Sequence, residues 1–415
     1  MDAIKLSICL PTFNRAVFLD KALRYFVTDY KIPYKYEIVI SDNASTDNTR
    51  EVVDRYIEKG LPIRYFRREE NLGYEPNLSS AFRHARGEYN IYLADDDMLI
   101  IGGIVNTIKY LDANPDVTAC YAPWYLHDEV QKVDQTLFYD VKADTKYERR
   151  NFLGVFAFLV ESHVFPEIGI YRASALRSAW VPRYFSYWAF SHLAHYLDQG
   201  AIAFRKTPFY RAVTVSTIPR DRPQAGNDEL LTAWDRYRGG LEYMVNLGVK
   251  RGKLPFDQQS VVQYEAMIKH FTFNRMAVAL RFWFAKKEYL KSYELYSRLC
   301  FAGFGNHPDV AGVRGQLPLM AAVQTLAWAT NSAAEVNRLV LHGMTDPASI
   351  EGLLRELGLR ANIEVVHNAG DMPDGAAERA AVFVANKADR DIYLKQGYPQ
   401  NLVFCEEDLI EPLAM

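Results

Sequence analysis

Three consecutive carboxylates, Asp95-Asp96-Asp97, follow directly on a short apolar run, Tyr89-Asn90-Ile91-Tyr92-Leu93-Ala94. Such a run bounded by turn-forming residues reads as a buried strand, and charges at its end fall at the rim of a sheet, where open α/β folds bind ligands. Like charges side by side repel unless they are solvated or share a cation. A hard divalent ion, Mg2+ or Mn2+, takes carboxylate oxygen and keeps part of its shell for phosphate, so the triplet reads as a metal-diphosphate site. The plainer alternative is an acidic turn that caps the next helix.

Elements that would position this triplet precede it in a regular pattern. Ile4–Leu10 is an apolar strand ending in Pro11-Thr12-Phe13-Asn14-Arg15, and Phe18, Leu19, Ala22, Leu23 and Phe26 then recur at helical spacing. Tyr36–Ile40 forms the next strand, with the polar loop Ser41–Thr49 and a helix from about Arg50 to Lys59 after it. Ile63–Phe66, the turn Asn71-Leu72-Gly73-Tyr74 and a helix over Asn77–His84 complete a third repeat. Alternating strands and helices imply a mostly parallel sheet, and ligands of such sheets sit beyond the carboxyl ends of the strands. The prolyl loop, the Asp42 loop and the acidic triplet should therefore converge.

With 415 residues the chain is too long for one ordinary core. Composition and pattern divide it into an α/β region at 1–222, a mainly helical region at 223–333 and a small α/β domain at 334–415. A hydrophobic content of 49% and a charged content of 24% are those of a globular protein in water. The net charge of -3 argues against nucleic acid as a partner held by the overall field. Cys9, Cys120, Cys300 and Cys405 lie far apart without metal-ligand spacing, which fits packing residues in a reducing, cytoplasmic compartment. The amino terminus leads into a strand without a basic-then-apolar leader. Leu317–Thr330 is an apolar stretch shorter than the roughly twenty residues that cross a bilayer.

The ordered series Pro11–Arg15, Asp42–Thr49, Asn71-Leu72-Gly73 and Ala85-Arg86-Gly87-Glu88-Tyr89 before Asp95-Asp96-Asp97 resembles the family 2 glycosyltransferases of GT-A fold. Among them it is most similar to members that attach sugars to O-antigen or capsule saccharides, the abequosyltransferase-like proteins. The resemblance covers roughly the first half of the chain and implies a Rossmann-like mixed sheet. It also implies a nucleotide-sugar donor, and a saccharide or lipid-linked saccharide as acceptor.

Carried over by position, the resemblance has Pro11, Thr12, Phe13, Asn14 and Arg15 line the nucleotide, with Asn71, Gly73 and Asp95 beside it. The Asp42 carboxylate would accept the imide N–H of uracil or thymine, hence a UDP- or dTDP-sugar. Asp47 reads equally as a helix cap or a ligand contact. Mn2+ or Mg2+ would sit on Asp96 and Asp97, although the register also admits Asp95 and Asp97 as the family's Asp-x-Asp pair. Inverting members carry a Glu-Asp pair at the start of the acceptor-side helix, where this chain has Trp188 and Ala189. His192 and His195 on that helix, with Glu161, His163 and Glu167 upstream, are the substitutes, and the likeness to abequosyltransferase-like members favours His192 as base, with Glu161 as its companion. A histidine among Tyr187, Trp188, Phe190 and Leu193 also reads as a core residue, and without a base a retaining reaction becomes the alternative.

Arg220 and Arg222, in a linker or lid, could meet the diphosphate. Basic residues Arg281, Lys286, Lys287 and Lys291 interleave with aromatics, a pattern that can lie on the inner face of an anionic membrane and more commonly packs a helical domain. The carboxyl-terminal domain carries no catalytic motif and reads as a docking or homo-oligomer element. Two other functions compete: a nucleotidyltransferase releasing pyrophosphate, and a glycan-binding scaffold that keeps the fold without catalysis.

Overall fold

A computed structural model describes residues 3–179, 185–218, 232–367 and 377–410. Arg220, Arg222 and the expected boundary at 222 lie outside them. The chain forms two compact units, Met1–Thr272 and Phe273–Met415.

In the first unit, strands β1 (Leu6–Thr12), β2 (Tyr36–Asp42), β3 (Ile63–Arg67) and β4 (Tyr89–Tyr92) alternate with helices α1 (Ala16–Thr28), α2 (Thr49–Glu58) and α3 (Tyr74–His84). Further along the chain come β5 (Met98–Leu99), α4 (Ile101–Ala113), β6 (Val117–Tyr121), β7 (Tyr125–Asp128), β8 (Val133–Leu137), β9 (Thr145–Tyr147) and α5 (Phe152–Glu161). β10 (Gly169–Arg172), α6 (Ala173–Arg177), α7 (Trp188–Gln199), β11 (Ala201–Phe204) and β12 (Tyr210–Val215) follow. Eight strands make the main sheet in the order β3-β2-β1-β4-β10-β6-β11-β9. The four amino-terminal strands are parallel, and β10 enters antiparallel beside β4, so the sheet is mixed. A smaller sheet has the order β5-β12-β7-β8, in which β7 and β8 form an antiparallel hairpin.

The strands are apolar because both faces are covered, and Leu6, Ile8, Cys9, Leu10, Ile38 and Ile40 are fully buried. β1 runs further than its apolar run suggests, through Pro11 and Thr12. Pairing to β4 ends at Cys9, two residues before Pro11 and on the same side of the strand, so the missing N–H breaks no ladder bond. One buried carboxylate braces the other end of the sheet. Glu37 accepts from Ser7 Oγ at 2.6 Å, from the Arg86 N–H at 2.6 Å and from Arg64 at 3.2 Å. Gly87 lies so close to β1 that a Cβ there would stand 2.6 Å from the Ser7 nitrogen, which explains the glycine in the turn before β4.

Helices Trp234–Lys250 and Gln258–Ala285 follow, and residues as far as Phe271 join the core of the first unit. The second unit contains helices Tyr289–Phe301 and Leu317–Ser332 and a wholly parallel sheet of β13 (Arg338–His342), β14 (Glu364–His367), β15 (Ala380–Val384) and β16 (Val403–Cys405), in the order β14-β13-β15-β16. All four cysteines are unpaired, three of them buried. No helix among the described residues is long and apolar enough to cross a membrane.

Candidate functional site

At the carboxyl edge of β1, β2 and β4, together with the loop after β3, four polar segments meet. β1 delivers Thr12, whose hydroxyl donates to Asp95 Oδ2 at 2.7 Å, and whose carbonyl accepts from the Asn43 N–H at 3.0 Å. Asn14 takes a left-handed backbone (φ 51°), and its side-chain oxygen accepts from the Thr46 N–H at 2.6 Å, which clips the first loop to the second. Asp47 proves to be a double cap: Oδ2 accepts from the Ala16 N–H at the start of α1, and Oδ1 from the Thr49 N–H at the start of α2. Its two oxygens thereby hold both helix entries.

Asp42 closes β2 and is 1% exposed. Oδ1 accepts from the Ser45 N–H at 2.8 Å and Oδ2 from the Tyr65 hydroxyl at 2.5 Å. A carboxylate has about four lone-pair sites, so these two donors leave capacity for a further N–H. Asn43 donates to Asn71 Oδ1 at 2.6 Å and to the Gly73 carbonyl at 3.0 Å, and Gly73 takes φ 89° to start α3. Asn77, one turn into that helix, donates to the carbonyls of Thr12 and Ser41. These two asparagines fasten the third loop to the others; side-chain amides in helices and turns carry no signal that separates this role from ordinary capping.

Around the acidic triplet the three carboxylates have different partners. Arg15 ion-pairs with both Asp95 (2.7 Å) and Asp96 (2.6 Å) while its guanidinium lies over the Phe18 ring, 4.2 Å from the centroid. Asp97 turns the other way: Oδ2 accepts from the Tyr210 hydroxyl and Oδ1 from the Val213 N–H, both at 2.8 Å. Tyr210 also accepts the Ala94 N–H at 3.0 Å, so a side chain of β12 locks the turn that carries the triplet. Burial pushes Asp95 up to about 6, against the pull of Arg15 and with Asp96 adding to the rise. Burial, then Asp96, holds Asp97 well above the usual carboxylate range. Among the described residues, Arg15 is the guanidinium that ion-pairs with the triplet, and Asp97 is held by a hydroxyl and a backbone N–H.

That donor set fits a divalent cation in a limited way. The oxygens are hard, the kind of donor that Mg2+ and Mn2+ take. Among the described residues no three His, Cys, Asp or Glu side chains are arranged to hold an ion by themselves. One or two carboxylates with the remaining positions left to phosphate and water is the pattern usual for Mg2+.

The acceptor-side candidates lie apart from this network. His192 is 2% exposed on α7, its Nδ1 3.3 Å from the Tyr196 hydroxyl and its ring edge-on to Trp188. Burial, with His195 adding, pushes it down to about 3, and its Nε2 is buried without a hydrogen-bond partner. His195 Nε2 meets the Tyr243 hydroxyl at 3.0 Å. Glu161 ends α5 and is exposed. Neither His192 nor Glu161 hydrogen-bonds or ion-pairs with the four loops among the described residues.

Residues 7–177 match the model of Glycosyl transferase family 2. Abequosyltransferase RfbV of Salmonella typhimurium is 35% identical over 116 residues, 28% of this chain and 35% of that protein. The GalNAc(5)-diNAcBac-PP-undecaprenol beta-1,3-glucosyltransferase of Campylobacter jejuni is 36% identical over 102 residues, 24% of this chain and 32% of its own length. The chain thus spans about a third of the length of these curated relatives. Among solved structures, S. aureus TarS 1-349 in complex with UDP-GlcNAc aligns with a TM-score of 0.48 and 16% identity over 78% of this chain and 86% of that one. The acidic rim, the prolyl loop and the Asp42 loop all fall inside the segment, residues 7–177, that matches the Glycosyl transferase family 2 model.

Proposed function

We propose that the chain is a glycosyltransferase that moves a sugar from a nucleoside-diphosphate donor to a saccharide hydroxyl during surface polysaccharide assembly. The observation that carries this reading is the convergence of Asp42, Arg15 and the acidic triplet at one sheet edge, inside the family segment. Asp42 would take the base, a free lone pair accepting the imide N–H of a UDP- or dTDP-sugar. Pro11 to Asn14 would line the ribose side, with Asn71 and Gly73 closing the third loop over it. Mn2+ or Mg2+ on Asp96 and Asp97, when bound, would neutralise charge developing on the leaving diphosphate. Arg15, already within reach of Asp95 and Asp96, would hold those carboxylates in place and offer its guanidinium to the same phosphates.

For an inverting displacement the acceptor hydroxyl needs a base. His192 is the candidate on one observation, the buried Nε2 without a partner. The role requires the tautomer in which Nδ1–H donates to the Tyr196 oxygen, leaving the Nε2 lone pair for the acceptor, with the exposed Glu161 as its companion. The test is turnover with a panel of UDP- and dTDP-sugars and saccharide acceptors, reading both released nucleoside diphosphate and pyrophosphate. Release of UDP or dTDP coupled to glycan growth supports the proposal. Pyrophosphate release would replace it with nucleotidyl transfer, and no consumption of any donor would replace it with a glycan-binding scaffold.

A further inference from the structure

Beside the nucleotide loops, on the outer side of α3, the first unit carries a groove of about 350 Å³ that the reading above does not use. Arg68, Ser79, Ser80, Arg83 and His84 are in its lining, and no carboxylate is. Other arginines of this edge are matched: Arg64 with Glu37, Arg67 with Asp42 and Arg236 with Glu75. Among the described residues, Arg68 and Arg83 have no such acidic partner. The side chain of Arg68 makes one long contact, 3.4 Å to the Pro76 carbonyl, and its buried Nε has no partner. Arg83 is exposed without an ion pair among the described residues, and the hydroxyls of Ser79 and Ser80 are likewise uncommitted there. His84 is held in place, stacked on Phe66 with centroids 3.7 Å apart and with Nδ1–H donating to the Ser80 carbonyl.

Two unmatched guanidiniums, two free hydroxyls and a fixed imidazole, around a volume at the lower end of ligand pockets, form a donor-rich bowl for a tetrahedral anion. A buried guanidinium N–H without a partner costs stability unless a ligand supplies the acceptor. The groove also shares its wall with the nucleotide site: the Arg68 N–H donates to the Asp42 carbonyl at 2.8 Å and the Leu72 N–H to Asn43 Oδ1 at 3.2 Å.

We propose that this groove binds a phosphate group carried by the acceptor, with Arg68 and Arg83 as its counter-ions and Ser79 and Ser80 as hydrogen-bond donors. Its assignment to an acceptor rests on the glycosyltransferase reading; the phosphate site itself does not. The experiment is calorimetry of inorganic phosphate into the full chain saturated with UDP and Mn2+. Arg83→Glu and, separately, Arg68→Gln are measured alongside, with co-sedimentation on phosphatidylglycerol and phosphatidylcholine vesicles. Phosphate binding that weakens by about tenfold or more in Arg83→Glu, while UDP binding is unchanged, is the expected result. Arg83 is exposed, so this variant folds even where Arg68→Gln does not. Sedimentation with phosphatidylglycerol vesicles alone, lost in Arg83→Glu, identifies a lipid-borne phosphate; phosphate binding without vesicle binding identifies a soluble phosphoester. Equal phosphate affinity in wild type and Arg83→Glu, or none in either, overturns the proposal. Phosphate binding in a chain that ignores UDP would retain this site and remove the donor reading instead.

Discussion

Replacing Tyr210 with Phe removes a single buried oxygen that serves two partners on the turn carrying the acidic triplet. Its hydroxyl donates to Asp97 Oδ2 and accepts from the Ala94 N–H, so Tyr210→Phe strips a buried hydrogen bond from one and the hydroxyl acceptor from the other. A buried hydrogen bond is worth about 0.5–1.5 kcal/mol net, and a buried N–H left unpaired costs about 1–3 kcal/mol. Partial relaxation of the turn brings the combined loss to about 3 kcal/mol. With a urea slope of roughly 3 kcal/mol/M, the unfolding midpoint of the variant falls by about 1 M. The turn also loses its lock, and metal-dependent nucleotide affinity should fall by about tenfold, as expected for about 1.4 kcal/mol of lost positioning. Equilibrium urea unfolding followed by tryptophan fluorescence, with calorimetry of UDP, reads both quantities. A midpoint and a UDP affinity both equal to wild type would refute the claim that β12 positions the triplet.

Asp42→Asn keeps the acceptor for the Ser45 N–H but exchanges a charged partner of the base for a neutral amide, so UDP affinity drops by about tenfold and the preference for UDP over CDP narrows, as read by competitive calorimetry. Burial works against the charge on Glu129, but hydrogen bonds from Lys21, the Thr217 N–H and Tyr25 outweigh it and hold the group at about 2 instead of 4.5. The stabilisation is therefore complete above about pH 4.5 and is lost as pH falls toward 2. Glu129→Gln should flatten that acid limb in a pH series of thermal melts, and an unaltered limb would sink the assignment. If His192 is the base, His192→Gln loses kcat by about a hundredfold or more with KM little changed. A purely structural histidine would instead show up as a lowered melting temperature with kcat retained.

Strands that are buried on both faces announce themselves as short apolar runs, so β1, β2 and β4 were legible to within two residues of their ends. The loops after them were legible too, since Thr12, Asn14, Asp42 and Asp95 are polar residues placed where an apolar run stops. Contacts between distant segments were not. Asp97 finds Tyr210 and Val213 more than a hundred positions away, and no local period carries that pairing. The antiparallel entry of β10 beside β4 is equally non-local, and so is the match of Glu37 with Ser7, Arg64 and Arg86. His192 shows the limit within one helix: its apolar neighbours on α7 foretold burial and Tyr196, four residues on, shares its face, whereas the bare Nε2 needed three dimensions.

The most direct test of the central claim is calorimetric binding of UDP, dTDP, GDP and CDP, with and without Mn2+, to the full chain and to the Asp96→Ala/Asp97→Ala double variant. The account predicts binding of UDP or dTDP that needs the metal and disappears in the double variant. Nucleotide binding indifferent to both metal and variant, or no nucleotide binding by the folded wild-type chain, would contradict it.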